Sequence, residues 1–349
     1  MGNYEDKIRN AEDLSAVARG AADAVELADA LTPFLPSRED VTLDYDLDAD
    51  TLGLPRAASF RAYDATAPYG KEKSVGSRKG SLPASSIKLR IGELDQLLFR
   101  GASDEALGDA YERKARQNGQ SVAIRAIFAR GAAIADGKVD LQAENGLSVS
   151  IDFGRPTGNS IVAQTPWTNP AADAIADIIA LQAYFDGVNG GQAGGVILST
   201  AVLQALSTNT SFITAFRGTS SSGLTRIGQA DVLSVLSDYN VREITRYDKQ
   251  YEDMFGVTRR VIPQDRFILV PSQDDVVIGD GGVLGETIWG APAESFKEKY
   301  GIPESDRAGI FAAAFDGSDP EGIDILASAI FLPVPSTAGV KKTVSLDVL

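Results

Sequence analysis

From Ser103 to Asp136 the chain holds one rhythm: Leu107, Tyr111, Ala115, Val122, Ala126, Ala129 and Ala133 recur mostly at three- and four-residue steps, the spacing of one helical face. Ser103-Asp104-Glu105-Ala106 supplies an N-cap and acids for the first turn. About 33 residues of helix would be roughly 50 Å long, more than a compact single domain needs, so the fold must be arranged along this rod. Its many alanines and lack of heptad leucines argue against a coiled coil, and Gly119 is placed to bend it. A scaffold helix with short strands packed against it is the expected arrangement.

The flanking segments are shorter and differently charged. A helix is predicted from about Glu5 to Leu31, stopped by Pro33 and Pro36. A strand follows, with Val41, Leu43, Tyr45, Leu47 and Ala49 alternating with Asp44, Asp46, Asp48 and Asp50, one face apolar and the other a row of carboxylates. Residues 1–50 carry 13 acids against 4 bases, whereas 60–90 carry Arg61, Lys71, Lys73, Arg78, Lys79, Lys88 and Arg90 against two acids. Few large apolar residues lie between Ala65 and Ser86, so this basic stretch reads as an excursion from the core. An acidic strand beside a basic loop suggests contact between complementary surfaces on neighbouring copies; a solvated hairpin is the plainer reading.

Beyond the long helix, Lys138–Leu141 and Leu147–Phe153 flank Asn145-Gly146, a hairpin signal. Pro156 to Pro170 reads as a domain boundary. A helix is predicted over Ala171–Phe185 with Ile175, Ile178, Ile179, Ala183 and Phe185 inward, then a buried strand Val196–Leu198 and a helix capped by Ser199. A helix near Ala230–Tyr239 and strands near Ile244, Val261 and Phe267–Val270 complete a mixed body. Ile310–Leu349 is expected to return to the first domain. The fold class expected is α+β in two domains.

The chain of 349 residues contains no cysteine and no histidine, which removes disulfides, thiolate zinc sites and Ser-His-Asp chemistry together. Its formal net charge of −15 is opposite to that of a free-standing DNA-binding protein. The N-terminus lacks a signal peptide's basic start and apolar core. No apolar run nears the ~20 residues of a membrane span, so a soluble, cytoplasm-made protein without membrane association is expected.

Individual motifs carry little chemistry. An EF-hand loop starting at Asp44 would need Gly and Glu where Ala49 and Pro55 stand. Gly279–Gly285 misses the dinucleotide spacing, and no P-loop occurs, so no cofactor and no metal are expected. Carboxylate pairs can hydrolyse glycosides without histidine, with Tyr247, Tyr251 and Trp289 as a sugar platform, but 48 acids single out no pair. Lys71, Lys73 and Lys79 as isopeptide nucleophiles compete with their reading as solvated surface lysines.

Asp238-Tyr239-Asn240-Val241, Tyr247-Asp248-Lys249-Gln250-Tyr251, Phe255-Gly256, Ile262-Pro263-Gln264-Asp265-Arg266 and Val270-Pro271 follow one another in that order. With the order of segments, this set resembles a tailed-bacteriophage major capsid protein of the lambda protein E family, which has the Hong Kong 97-like capsid fold. Leu284-Gly285-Glu286-Thr287-Ile288-Trp289-Gly290 with Ala291-Pro292-Ala293-Glu294 continues it, and Val196-Ile197-Leu198-Ser199 with Leu206 and Asn209 precedes it.

It implies an N-terminal arm over 1–50, an extended loop over 51–92 and a peripheral domain with the spine helix over 93–165. An axial domain over 166–303 and a return to the peripheral domain over 304–349 would follow. The implied role is structural, without enzymatic activity: copies assemble in hexamers and pentamers into an icosahedral head shell around double-stranded DNA, without sequence-specific binding. Implied partners are a separate scaffold protein, a portal and a decoration protein, and the implied location is the virion, after assembly in the host cytoplasm. Lys71, Lys73, Arg78 and Lys79 against Asp44, Asp46 and Asp48 are the candidate inter-subunit contacts. An encapsulin-like compartment shell and a carboxylate-based hydrolase are the alternatives.

Overall fold

A computed structural model of the chain describes residues 10–47, 78–98, 104–144, 147–218, 223–253, 256–272, 283–318 and 321–349. The elements begin with α1 (Ala11–Leu27), β1 (Ser37–Glu39), β2 (Asp44–Leu47), β3 (Arg78–Ser81) and β4 (Ala84–Ile91). Next are α2 (Glu93–Leu98), α3 (Asp104–Asp136), β5 (Lys138–Glu144), β6 (Leu147–Asp152) and β7 (Ser160–Val162). Four helices follow, α4 (Ala174–Asn189), α5 (Thr200–Thr208), α6 (Thr210–Arg217) and α7 (Gln229–Asp238), with β8 (Gly195–Leu198) after the first of them. Then come β9 (Glu243–Arg246), β10 (Gln250–Glu252), β11 (Thr258–Arg260) and β12 (Arg266–Val270). The chain closes with β13 (Gly285–Gly290), β14 (Phe311–Ser318), β15 (Glu321–Pro335), α8 (Thr337–Lys341) and β16 (Val344–Asp347).

Two compact units divide the chain: Met1–Tyr45, Gly80–Gly131 and Gly285–Val334 form one, and Asp46–Lys79, Ala132–Leu284 and Pro335–Leu349 the other. In the first unit a sheet runs β1-β13-β15-β14, with β4 also on β15. Ile323, Ile325, Ala327, Ala329 and Phe331 alternate along β15, and all five are buried in one core with Leu14, Ala18 and Ala22 of α1 and Ala115, Val122 and Ala126 of α3. One period-two face of a strand buried on both sides thus meets three-four burial on the helices.

Small residues let these elements approach closely. A Cβ at Gly119 would lie 2.1 Å from the Ala18 carbonyl oxygen, so the glycine expected to bend the long helix instead admits the backbone of α1. Asn118 beside it donates to the Ile325 carbonyl at 2.7 Å, tying the rod to the sheet.

The second unit has a sheet in the order β7-β16-β12-β8-β9. Trp167, Ile178, Phe212, Val235, Leu236, Phe267 and Leu346 are among its core residues, with Trp167 and Phe267 edge to face at 5.3 Å between centroids. The long rod ends inside this unit's residues on a side-chain cap: the Arg155 guanidinium donates to the Ala135 carbonyl at 2.5 Å and to Thr343 at 2.9 Å. Burial lowers the Arg155 pKa to about 10.

Several expectations need correction. The first helix spans Ala11–Leu27 among the described residues, and Leu31, Phe34 and Leu35 after it are buried, so residues 11–35 pack into the first unit. Lys88 and Arg90 belong to β4, paired with β15 from Ile91↔Ile323 to Ala84↔Ile330, because Ile87, Leu89 and Ile91 alternate as a sheet strand must. Pro156–Pro170 contains β7, paired parallel to β16, and the buried Trp167; it belongs to the second unit. Ile179 is 50% exposed on α4, since Ile178 and Leu181 occupy the inward face. The C-terminal segment is shared: β14 and β15 up to Val334 lie in the first unit and Pro335–Leu349 in the second. Asn145-Gly146 lies outside the described residues.

Candidate inter-subunit contact site

Four of the charged candidates, Asp44, Asp46, Arg78 and Lys79, fall on one ribbon. β2 and β3 pair as a two-stranded sheet, so Asp44 and Asp46 share a ladder with Arg78 and Lys79 of the same chain; Asp48, Lys71 and Lys73 lie outside the described residues. Ser81 Oγ donates to Asp44 Oδ1 at 2.9 Å, and the Leu82 amide donates to the Leu43 carbonyl at 2.8 Å. Tyr45 is buried, its ring lying on Gly80, where a Cβ would come within 2.6 Å of the hydroxyl. The apolar face expected along this strand is only partly covered: Val41 is 52% and Leu43 63% exposed.

The first unit also holds a polar node that sequence reasoning passed over. Arg130, fully buried on α3, donates through Nε to Thr287 Oγ1 at 2.8 Å, and through Nη2 to Ser37 Oγ at 2.7 Å and Glu26 Oε1 at 3.1 Å. Trp289 Nε1 donates to the same Ser37 hydroxyl at 2.8 Å, and Ser37 donates to Glu26 Oε2 at 2.5 Å. One guanidinium therefore joins α1, α3, β1 and β13. Its sequence signal was available: Arg130 stands four residues after Ala126 and three before Ala133, on the face the helix buries.

In the second unit, Asp248 accepts from the Thr200 amide at 3.1 Å, from the Thr200 hydroxyl, and from Arg260 at 3.4 Å, where α5 begins. Burial pushes its carboxyl up, but the Thr200 donors and Arg260 outweigh that and hold it below the ordinary aspartate range. Two of the three aromatics of the sugar platform are used otherwise: Trp289 packs on Phe331 at 4.5 Å in the first unit's core, and Tyr247 is buried in the second; Tyr251 is half-buried on β10. No group of three acids is placed to hold a metal ion among the described residues. No described helix is long and apolar enough to cross a membrane.

These elements are held by geometric and polar fit, and comparison says what they build. The family described as phage major capsid protein E matches residues 78–344. The chain belongs to that family. As a phage major capsid protein E it is a shell subunit, one of many in a capsid, and the virion is its place. No curated protein sequence matches it.

Its fold is similar to a structure assigned as the capsid protein of a prophage in E. coli CFT073, at 15% identity and a TM-score of 0.62, covering 97% of this chain and 99% of that one. A phage-related protein from Bordetella bronchiseptica RB50 is similar at 14% identity and a TM-score of 0.56, covering 97% of each chain. The mixed helix-and-sheet architecture is thus of the phage capsid kind, and the family match makes the encapsulin reading the weaker one.

Proposed function

We propose that this capsid protein E closes into hexamers and pentamers of an icosahedral head around double-stranded DNA, assembled in the host cytoplasm with a separate scaffold protein, a portal and a decoration protein. The family match over 78–344 carries the reading. The division into arm (1–50), extended loop (51–92), peripheral domain with spine (93–165 and 304–349) and axial domain (166–303) is part of it, with the loop ending before β4, residues 11–35 of the arm counted with the first unit and Pro335–Leu349 with the second. The 33-residue α3 supports the spine, and a separate second core supports the axial domain. The role is structural: the chain's contribution is fit between copies. A surface of net charge −15 suits a container that must release DNA without gripping phosphates.

The charged contact between copies runs from Lys71, Lys73, Arg78 and Lys79 to Asp44, Asp46 and Asp48 of a neighbour. Because Asp44 already accepts from Ser81 in its own chain, the bases have the larger share of the contact. Electron microscopy of the protein expressed with its genomic neighbours, followed by nuclease treatment of purified particles, tests the proposal. Closed shells with protected genomic DNA are expected. Shells holding a co-packaged enzyme would favour a cellular compartment, and a monomer with glycosidase turnover would end the shell reading. In the same preparation, reversing Lys71, Lys73 and Lys79 to Glu should lower particle yield with the monomer fold intact; normal yield across salt concentrations would remove the charged contact.

A further inference from the structure

The sheet of the first unit ends on β14, an edge strand among the described residues. Edge strands present unpaired N–H and C=O groups to any passing strand. In the antiparallel pair with β15, Ala312 faces Ala327, and both backbone groups of Ala312 point away from that partner. Ser15 of α1 meets both: its hydroxyl donates to the Ala312 carbonyl at 3.1 Å and accepts from the Ala312 amide at 2.8 Å. One side chain thus makes the two bonds that a strand residue would make.

One turn further along α1, Arg19 Nε donates to the Ile310 carbonyl at 2.9 Å, the next group on the same side of the strand. Ser15 is 3% exposed, on a face otherwise made of Leu14, Ala18 and Ala22, where an alanine would pack as well. Its hydroxyl is accounted for by Ala312 alone.

We infer that α1 is an edge guard: Ser15 and Arg19 cap the outward groups where β14 begins, at Ile310 and Ala312, and so deny the start of that edge to a strand from a second copy before assembly. Strand addition along a sheet edge is a general mode of protein association, and a chain made in many copies meets its own edges at high local concentration. The guard acts on the unassembled chain and does not depend on the shell's symmetry or contents.

Ser15→Ala in the full-length, unassembled protein is the direct test, read by hydrogen–deuterium exchange and sedimentation. The Ala312 amide should exchange up to about tenfold faster, the scale of one lost hydrogen bond, while inward-facing Ala313 is unchanged. Heavier, concentration-dependent species absent from the wild type should appear. Ser15→Thr, which keeps the hydroxyl, should restore both readings.

If Ser15→Ala does not fold, Arg19→Met frees Ile310 without touching the buried face and should raise exchange across residues 308–314 and promote association. Unchanged exchange at Ala312 overturns the proposal, and so does faster exchange without association.

Discussion

The two units solve the same problem, helices on a sheet, with different side chains. The core of the first is built largely of alanine: Ala18, Ala22, Ala110, Ala115, Ala123, Ala126, Ala312, Ala327 and Ala329. That of the second is built of larger groups, among them Val196, Leu198, Leu203, Leu206, Phe212, Leu236, Phe267 and Leu269. Each alanine brings less apolar area out of water than a leucine or phenylalanine, so the first unit gains less per buried residue. In return its backbones come close enough for specific polar contacts: Gly119 against Ala18, Asn118 on Ile325, Ser15 on Ala312, Arg130 on Glu26, Ser37 and Thr287. Large side chains hold the second unit by volume; directional bonds hold the first by position.

The contrast breaks most sharply at Arg130. Arg130→Ala leaves the buried Glu26 and Thr287 around a void. Removing one partner of a buried pair costs about 3–5 kcal/mol, so a drop of that size in unfolding free energy is expected by denaturant titration. Phe267→Ala in the second unit should cost about as much through a cavity. The discriminating variant is Arg130→Met: if volume is what matters, methionine recovers most of the loss; if the polar node matters, Glu26 stays uncompensated and little returns. Full recovery would remove the distinction between the two cores.

Next in size is the glycine at the helix crossing. With no room beside the Ala18 carbonyl, Gly119→Ala should destabilise by about 1–3 kcal/mol, the range for overpacking, against its better helix propensity. Gly187, in α4 of the second unit, meets nothing within 4 Å of an added Cβ, so Gly187→Ala should stabilise by about 0.5–1 kcal/mol. Thermal melts of the two variants moving in the same direction would contradict the close approach.

Legibility in the sequence followed periodicity. The long helix was read to within a residue because its rhythm is uninterrupted, and Ser199 as the cap of α5 because its chemistry is local: it accepts from the Val202 amide at 3.2 Å. What failed depends on long-range pairing. Nothing within Ala84–Ile91 says that its partner is β15, and basic side chains on its exposed face disguised a strand as a loop. Nothing local to Pro335 says that the chain leaves one sheet there for another.

The contact residues were legible as charge, but the pairing of Asp44 and Asp46 with Arg78 and Lys79 on one ribbon was not, because about 30 residues separate the two strands and a ladder across such a loop leaves no local signature. Arg130 and Ser15 were legible in position, each a polar residue on an apolar helical face. Reading them needed only the question of what such a residue must bond to when buried.

The smallest expected effect separates the units by pH. Asp248 in the second unit has its folded pKa held below the unfolded value, so its contribution is present in full above the unfolded value of about 4 and fades as pH falls through the folded one. Glu39 in the first unit runs the other way. Burial raises its carboxyl; Arg19 opposes this, and Asp23 and Asp306 add to it. Its contribution is therefore greatest below the unfolded value and is lost as pH rises through the folded one. Acidification accordingly weakens the helix cap at Thr200 while it relieves the first unit. Asp248→Asn should cost about 1 kcal/mol at neutral pH, the scale of a lost cap, and should flatten the acid side of the stability–pH curve. Glu39→Gln should leave the acid side in place and raise stability above it. Unfolding curves taken at several pH values on both variants decide the matter: an unaltered acid limb in Asp248→Asn would mean that Thr200 and Arg260 do not hold that carboxylate, and that the second unit resists acid by its apolar volume alone.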